Sequence, residues 1–317
     1  MKISVVIPTF NSASFIKNTL DSVLAQSHQA YEILVLDDGS TDDTVAILRS
    51  YGSLITVATQ KNRGVAHARN NLVKLAQGDL VAFLDHDDLW HPSYLETQVK
   101  GFNQHKHAAA FFTKHITFKN ETGLTNWGQS ITLSPIIELI PPDQFIPRYN
   151  RSTGTFYSMS FCVVPKAILT NMGDEPFLVT AVGVDDFFLC NQFPLYGPVV
   201  LTHGELVAYR LSVNAQSLDR LKNFDLILRN YVYLEKCYRT QIRPDLLRLI
   251  DCEYASKQRY YGKILFQLSR KAEARSHFSN SLWRSWSPVS MAKSFALLVQ
   301  SFLPPPFTLR GNPQYRS

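Results

Sequence analysis

The sequence predicts an α/β protein, in which helices flank a mainly parallel central sheet and an all-helical region follows. Through the first hundred residues, short β-branched runs alternate with stretches whose apolar residues recur at helical spacing. Such alternation is typical of a parallel sheet covered by helices. After about residue 215 the strand pattern disappears and only helical spacing remains, which predicts the change to an all-helical region.

Four strands are predicted in the first hundred residues, because each is a short apolar run of the kind that parallel sheets bury. They cover residues 3–7, 32–36, 54–58 and 80–84. Helical spacing between them predicts helices over residues 14–26, 41–51 and 65–77.

The next hundred residues are mixed. Apolar runs predict further strands over residues 108–112, 116–118 and 159–164, and a helix opens at Pro165. Four prolines between residues 123 and 150 predict a long loop. Beyond residue 215, helices are predicted over residues 218–237, 244–268 and 272–283.

Three regions are expected: a catalytic domain over residues 1–215, a helical region over 216–303, and a Pro-rich, poorly ordered tail over 304–317. The charge is divided in the same way. Residues 1–209 carry 14 Lys and Arg against 19 Asp and Glu, a balance of −5. Residues 210–317 carry 18 against 7, a balance of +11, which suits either a solvated helical surface or an anionic partner.

Composition excludes several classes of protein. With 45% hydrophobic residues the chain has enough apolar surface to fold, so it is not a disordered protein. None of the four cysteines forms a CxxC pair, which argues against a zinc ribbon or a redox dithiol. No stretch approaches the roughly 20 apolar residues that span a bilayer. We therefore expect a cytoplasmic protein, with peripheral contact at the inner face of the membrane left open.

Polar clusters follow three of the predicted strands, at residues 8–11, 37–42 and 85–88. In open parallel sheets, ligands bind outside the carboxyl ends of the strands. Carboxylates crowded there repel one another unless a cation neutralises them, and oxygen ligands favour a hard ion. Taken singly, residues 37–42 also fit a turn with a helix N-cap, and residues 85–88 also fit a solvated loop.

The chain resembles the family 2 glycosyltransferases, which have the GT-A fold. The resemblance is close over the first hundred residues, fades towards residue 215, and rests on four motifs: VIPTFN at 6–11, DDGSTD at 37–42, NRGVAHARN at 62–70 and GDLVAFLDHDD at 78–88. It implies an inverting, metal-assisted transfer of a sugar from a nucleotide sugar, with a UDP-sugar as the expected donor. The acceptor would be a hydroxyl of a carbohydrate or a lipid-linked molecule.

The resemblance also implies which side chains bind the donor. Pro8 and Phe10 would lie against the nucleotide base, and Asp38 would contact the base or the ribose. Arg69 would reach the base or the diphosphate, and Asp85 would hold the ribose or a metal-bound water. Asp85 belongs to the D-x-D element, whose second acid, Asp87, would bind Mn²⁺ or Mg²⁺ directly.

A general base is implied by the acidic pair Asp185 and Asp186, which stands where the family usually has a Glu-Asp pair. Asp186 would take the proton of the acceptor hydroxyl, and Asp185 would orient it. The same pair also fits a plain helix start with first-turn acids. The chain departs from the family at Gln192, where an Arg is frequent, and at Ser212, where a His is frequent; His203 is only a weak substitute.

Other functions were weighed against this one. A sugar-nucleotide nucleotidyltransferase would want a Gly-rich loop after the first strand, and residues 8–14 contain no glycine. A catalytically inactive binding module with a helical adaptor tail has no reason to keep the acidic set. No motif supports nucleic-acid binding.

The helical region carries two open questions. Tyr261, Gly262, Ala274, Phe278, Ser281 and Pro288 follow a spacing that looks like one tetratricopeptide repeat, or a plain helical hairpin. Residues 290–303 fit an amphipathic helix that faces a membrane, or one that packs into the core.

Overall fold

The computed structural model describes residues 1–120, 124, 127, 137–151, 158–180, 184–211, 220–241 and 243–302. The chain divides into two compact units, Met1–Asp219 and Arg220–Ser317. The boundary predicted at residue 215 and the tail predicted over 304–317 both lie outside the described residues. Among the residues that are described, no helix is both long enough and apolar enough to cross a bilayer.

The first unit begins with four parallel strands and the helices that connect them. The strands are β1 (Ile3–Thr9), β2 (Glu32–Asp37), β3 (Thr56–Thr59) and β4 (Leu80–Phe83). The helices are α1 (Ile16–Leu24), α2 (Thr44–Ser50) and α3 (Val65–Leu75). β1 is central and pairs in parallel with β2 on one side and with β4 on the other. The carboxyl ends of these strands therefore meet at one edge, as the sequence predicts.

The rest of the first unit completes a nine-stranded mixed sheet. Its strands are β5 (Leu89–Trp90), β6 (Ala110–Phe118), β7 (Ile137–Ile140), β8 (Cys162–Pro165) and β9 (Val199–Arg210). Its helices are α4 (Tyr94–Gln104), α5 (Pro142–Arg151), α6 (Lys166–Asn171) and α7 (Asp185–Cys190).

The strand order is β3-β2-β1-β4-β8-β6-β9-β5, and β7 pairs with β9. β8 runs antiparallel to β4 and β6, whereas β6 and β9 are parallel. The α/β fold with flanking helices is confirmed, and the sheet is parallel over its first four strands and mixed beyond them.

The predicted long loop over residues 123–150 is wrong for its described part from residue 137 on. Residues 137–140 form β7, and α5 begins directly afterwards at Pro142. Proline suits the first turn of a helix, where its missing N–H has no partner to lose. Phe145 and Tyr149 are buried and stacked, with ring centroids 5.4 Å apart, so α5 is stabilised by packing despite Pro147 inside it.

The two short strands predicted over 108–112 and 116–118 form one strand, β6. Its pairing with β9 shifts register around Lys114, which explains why the apolar pattern is interrupted there.

The second unit is helical throughout its described residues. It contains α8 (Arg220–Thr240), α9 (Pro244–Gln267), α10 (Lys271–Trp283) and α11 (Pro288–Gln300). Its core includes Leu228, Leu265, Ala274 and Phe278. A Cβ built on Gly262 of α9 would lie 2.6 Å from the ring of Phe278, so this glycine allows α9 and α10 to approach closely. The helical C-terminal region is confirmed, and its relation to tetratricopeptide repeats stays a prediction.

Candidate active site

The loops that follow β1 and β2 are fastened to each other by hydrogen bonds. Asn11 adopts a positive φ of 47°, a conformation that asparagine tolerates better than most residues. Its N–H donates to Oγ of Ser40 at 2.8 Å, and its Oδ1 accepts from the N–H of Thr41 at 2.8 Å. The two polar clusters at these strand ends therefore form one rigid rim.

Phe10 and Pro8 occupy different positions in that rim. Pro8 is buried within β1, opposite Leu36 of β2. Phe10 is 40% exposed, which is unusual for a residue that follows directly on a buried strand. The ring of Phe10 is therefore accessible for stacking, whereas Pro8 is not.

Asp38 holds the loop that leads into α3. It is 4% exposed, and its carboxylate accepts from Nε2 of Gln60 at 2.7 Å and from the N–H groups of Arg63 and Gly64 at 2.9 and 2.8 Å. Gly64 has a φ of 91°, so the turn before α3 needs a glycine. Asp38 thus has a structural role that the sequence did not reveal, and its contact with a base or ribose stays a prediction.

A buried ion triad joins three distant parts of the chain. Arg69 of α3 donates from Nη2 to Oδ1 of Asp85 at 2.5 Å and from Nη1 to Oδ2 of Asp185 at 2.6 Å. The side chain of Arg69 is only 7% exposed. Burial alone would disfavour its charge, but the two carboxylates outweigh burial and raise the pKa of Arg69. The guanidinium is therefore permanently charged and committed to both acids in this structure.

The surroundings of Asp85 favour its ionised form. Burial raises its pKa, but the charge and hydrogen bond of Arg69 and a 3.0 Å hydrogen bond from Oγ of Ser158 lower it further, so the net pKa lies below the usual value. Its N–H donates to Oγ of Ser160 at 3.0 Å, which fixes the start of the D-x-D element.

Asp87 and Asp88 lie in an environment with excess negative charge. Burial and the nearby carboxylates raise the pKa of Asp87, and they raise that of Asp88 well above its ordinary value. Asp88 is fully buried and accepts from the N–H of Arg210 at 2.9 Å, while Nε of Arg210 donates to the carbonyl of Asp87. Asp88 therefore fastens the loop to β9, whereas Asp87 is half-buried.

The two acids at the start of α7 differ sharply. Asp185 is 2% exposed and bound to Arg69. Asp186 is half-buried and accepts a hydrogen bond from the N–H of Phe187 at 2.7 Å. Burial and the adjacent charge of Asp185 raise the pKa of Asp186 to about 7, against the opposing effect of Arg69. A carboxylate with that pKa can accept and release a proton near neutral pH.

Sequence reasoning missed Tyr209 of β9, which lies near enough to the carboxylates to feel their charge. Burial raises its pKa, and so do the charges of the four acids Asp88, Asp85, Asp87 and Asp186. Its ring packs edge-on against Phe161 at 5.8 Å. The signal was its place beside Arg210, at the end of the last strand of the sheet. Ser158 and Ser160, which hold Asp85, follow no pattern that could have revealed them.

The structure also shows the surroundings of two of the positions discussed above as departures from the family pattern. Nε2 of Gln192 lies 3.5 Å from the carbonyl of Phe188, within its own helical turn. His203 pairs with Glu138 at 3.0 Å, and Glu138 also binds Arg148. His203 thus belongs to a separate ion-pair cluster on β9 and β7. Ser212 lies outside the described residues.

In the described part of the chain, no three His, Cys, Asp or Glu side chains are arranged as a complete metal-binding group. With Asp85 occupied by Arg69, the carboxylate left for a cation is chiefly that of Asp87. The protein would therefore supply only part of a coordination sphere.

Comparison with solved structures places the fold. Residues 1–349 of TarS from Staphylococcus aureus, crystallised with UDP-GlcNAc, superpose with a TM-score of 0.66 over 95% of this chain and 90% of that chain, at 18% identity. The mannosyltransferase PcManGT from Pyrobaculum calidifontis, solved with GDP-Man and Mn²⁺, superposes with a TM-score of 0.54 over 95% of this chain and 86% of that chain, at 17% identity. At these identities the likeness establishes the fold.

Sequence comparison places the family. The putative teichuronic acid biosynthesis glycosyltransferase TuaG of Bacillus subtilis is 41% identical over 115 residues, which are 35% of this chain and 45% of that protein. The chain spans less than half the length of the first curated relatives that it matches. The family description "Glycosyl transferase family 2" matches residues 4–172, more than half of the chain and the part that holds the D-x-D element. The chain therefore belongs to glycosyl transferase family 2.

Proposed function

We propose that the protein is an inverting glycosyltransferase, which moves a sugar from a UDP-sugar to a hydroxyl of a carbohydrate or lipid-linked acceptor. The observation that carries this proposal is the contrast within one acidic cluster. Arg69 binds both Asp85 and Asp185 and lowers the pKa of Asp85, whereas the pKa of Asp186 is raised to about 7. Pairs of acids driven to different pKa values are typical of sites that divide binding from proton transfer.

The donor is proposed from both the rim and the relatives. Phe10 presents an exposed ring beside the rigid rim formed by the loops after β1 and β2, and such a ring can stack on a nucleotide base. TarS was crystallised with UDP-GlcNAc and with UDP, and PcManGT with GDP-Man. Both neighbours therefore bind a nucleoside diphosphate sugar, and the nearer one in TM-score supports UDP.

A divalent cation fits the donor set. Burial, and to a lesser extent the charge of Asp85, raises the pKa of Asp87, so a cation beside Asp87 would offset the cost of keeping its carboxylate ionised. Mg²⁺ is commonly held by one or two carboxylates together with substrate phosphates, so an incomplete protein ligand set is sufficient. Asp87 would hold Mn²⁺ or Mg²⁺, with Asp85 beside it. The ion, when bound, would neutralise charge that grows on the departing diphosphate.

Asp186 is the proposed base. The acceptor oxygen would attack the anomeric carbon, the bond from that carbon to the diphosphate oxygen would break, and the nucleoside diphosphate would leave with the electron pair. The hydroxyl proton would pass to the carboxylate of Asp186. Asp185, held by Arg69, would orient Asp186 and keep α7 in place. The rise in the pKa of Asp186 favours this role, since a base works best with a pKa near the operating pH.

The test separates Asp186 from Asp185. Asp186→Asn keeps the shape of the side chain but cannot take the proton, so transfer should fall by about 10²–10⁴-fold while UDP-sugar affinity stays nearly unchanged. Asp185→Asn should reduce transfer less, because it weakens only an orienting contact. Kinetics with a found acceptor and calorimetric donor titration would measure both.

Two outcomes would change the proposal. If Asp185→Asn is inactive and Asp186→Asn retains activity, the base is Asp185. If both variants transfer at the wild-type rate while still binding UDP-sugar, the site performs no acid–base step and the inverting mechanism is wrong. A chain that binds donor but transfers to no acceptor at all would favour an inactive nucleotide-sugar-binding module.

The nucleotide has its own test. UDP with Mn²⁺ should raise the melting temperature more than GDP with Mn²⁺, because a ligand that binds only the folded state stabilises it. Differential scanning fluorimetry with and without a chelator measures this. A larger shift with GDP would indicate that the donor is a GDP-sugar and not a UDP-sugar, and it would leave the rest of the proposal intact.

A further inference from the structure

The outward side of α11 is apolar. Met291, Phe295, Val299 and Phe302 follow one another at helical spacing, and they are 44%, 58%, 44% and 64% exposed. Side chains three and four residues apart lie on the same side of a helix, so these four form a continuous stripe. We call it the α11 stripe. A water-soluble helix normally turns such a stripe inward.

The inward side of α11 is held by polar contacts. Ser294 is fully buried, and its hydroxyl lies 2.8 Å from that of Ser281 and 3.2 Å from Nη1 of Arg259. Ser301 is 1% exposed, and its carbonyl accepts from Nη2 of Arg275 at 3.0 Å. Leu297 and Leu298 add partial packing against the core of the second unit. These hydrogen bonds fix the rotation of α11 about its axis, with the stripe facing outward.

Two tryptophans precede α11. Trp283 is 84% exposed and Trp286 is 57% exposed. The indole N–H of Trp286 donates to Oδ2 of Asp251 at 3.0 Å, and the guanidinium of Arg248 lies 5.2 Å from the ring. A ring with one polar, hydrogen-bonded side and one apolar, exposed side is the kind found at the boundary between water and lipid.

The net charge of the second unit indicates what kind of surface would bind the α11 stripe. Residues 220–317 carry 17 Lys and Arg against 6 Asp and Glu, a balance of +11. From residue 274 to the end of the sequence there is no acidic residue, and Lys293 lies exposed on α11 itself. A second copy of this chain would bring two strongly basic surfaces together, which costs energy. An anionic lipid surface offers both the complementary charge and the apolar layer.

We propose that the α11 stripe, together with Trp283 and Trp286, binds the surface of an anionic membrane, with α11 lying in the plane of the interface. Its apolar side chains would enter the boundary between headgroups and acyl chains. The guanidinium of Arg275, which lies 4.1 Å from the ring of Phe302 at the end of the stripe, would meet the lipid phosphates. This inference does not depend on the proposed transfer reaction, since neither the helix nor its contacts belong to the acidic cluster.

Co-sedimentation of the full chain with lipid vesicles tests the proposal. The chain should bind vesicles of phosphatidylcholine mixed with phosphatidylglycerol, bind pure phosphatidylcholine weakly, and lose affinity as salt is raised. Phe295→Ser and Val299→Ser should each lower partitioning into the mixed vesicles by about tenfold, because each removes a side chain that would leave water. Val232→Ser, which removes a side chain of 56% exposure from α8, is the matched control and should change nothing.

A charge variant tests the electrostatic half of the proposal. Lys293 lies on the side of α11 away from the stripe, so Lys293→Glu changes only the long-range charge of the helix. It should lower binding to the mixed vesicles by about threefold at low salt and leave binding to pure phosphatidylcholine unchanged. The emission of Trp283 and Trp286 should shift to shorter wavelength on binding, since the rings leave water.

Three results would overturn the inference. The first is that the chain does not bind vesicles, or that Phe295→Ser changes vesicle binding no more than the control Val232→Ser does. The second is a wild-type dimer that the stripe variants convert to a monomer, because the stripe would then be a contact between copies. The third is a clear drop in melting temperature of the stripe variants without lipid, because the stripe would then be covered within the chain.

Discussion

The two units depart from ordinary burial in different ways. The first unit buries charge: Arg69 and Asp185 are nearly inaccessible, and Asp88 is fully so. The second unit also buries acids, Asp251 and Glu253, but what distinguishes it is the exposed α11 stripe. Buried charge is tolerated only where partners neutralise it, and exposed apolar surface is unfavourable in water. Both departures coincide with the places where we propose that a ligand or a lipid surface binds.

The acidic cluster holds the same contrast on a smaller scale. Asp85 and Asp186 are chemically alike and both lie near Arg69. The direct ion pair with Arg69 lowers the pKa of Asp85, whereas burial and the charge of Asp185 raise that of Asp186 to about 7. Two carboxylates of the same type therefore differ in pKa because their partners differ, which is the basis on which we propose a binding role for one and proton transfer for the other.

The largest expected effect comes from Asp87. Asp87→Ala should reduce transfer by roughly 10³-fold or more, because the several kcal/mol that a bound cation contributes to the departing charge would be lost. The fold should remain intact, since Asp87 is a half-buried loop residue. Steady-state rates with Mn²⁺, and circular dichroism, measure both.

Asp174→Ala is the control, because Asp174 is an exposed acid in the same unit. Near-normal turnover of Asp87→Ala, or turnover that a chelator does not affect, would remove the metal from the proposed mechanism and weaken the contrast between the units.

The buried triad should matter most for stability. Arg69→Met should lower the free energy of unfolding by about 3–5 kcal/mol, because it leaves Asp85 and Asp185 buried without their partner. Lys17→Met removes an exposed pair with Asp21 and should cost at most about 0.5 kcal/mol. Urea unfolding of the two variants measures the difference. Equal costs would mean that burial of the triad is less complete than the structure indicates.

The pH profile tests Asp186. Because its pKa is raised from 3.8 to about 7, kcat/KM should fall about tenfold for each pH unit below that value, as the base becomes protonated. The free energy of unfolding should change with pH in the opposite direction. Between about pH 4 and pH 7 the folded chain retains a proton here that the unfolded chain releases, so this group lowers stability as the pH rises through that window.

Asp186→Asn removes both trends. A wild-type kcat/KM that stays flat from pH 8 to pH 5, at about constant stability, would contradict a raised pKa at this position.

The smallest predicted effect is a difference in stability between two Gly→Ala variants, one in each unit. Gly262→Ala places a Cβ 2.6 Å from the ring of Phe278, so α9 and α10 must shift, at a cost of about 1–3 kcal/mol. Gly101 of α4 also faces a phenylalanine, but its Cβ would lie 3.4 Å from Phe111. Gly101→Ala should therefore be neutral or slightly stabilising, since alanine favours a helix. Thermal unfolding followed by helical circular dichroism distinguishes them, and equal melting temperatures would contradict the close approach of α9 and α10.

Local pattern predicted the parallel half of the sheet well, because β1, β2 and β4 are buried apolar runs that each end at a polar cluster. It failed at residues 137–151, where prolines were interpreted as a loop. Pro142 begins a helix, and Phe145 and Tyr149 stabilise that helix by packing against residues far away in sequence. Proline content describes local backbone restriction, whereas packing depends on partners that the local pattern does not contain.

In the candidate site, too, the sequence revealed some residues and not others. The motifs alone singled out Asp85, Asp87 and Asp186. They did not reveal that Asp38 holds the turn before α3, or that Tyr209 lies near the acids, because those relations arise when β9 and the loop after β3 are brought to the same edge. Residue type determines which chemistry is available, and the folded chain determines which group performs it.

The positions of the first four strands, the acidic set and the basic character of the second unit were determined by the sequence, because apolar periodicity and charge are properties of the chain alone. The direction in which α11 faces was decided by tertiary structure. Its sequence allows either side to pack inward, and the hydrogen bonds of Ser294 and Ser301 with residues of α9 and α10 select the polar one. Such a choice depends on the free energy of contacts between helices, which no single helix encodes.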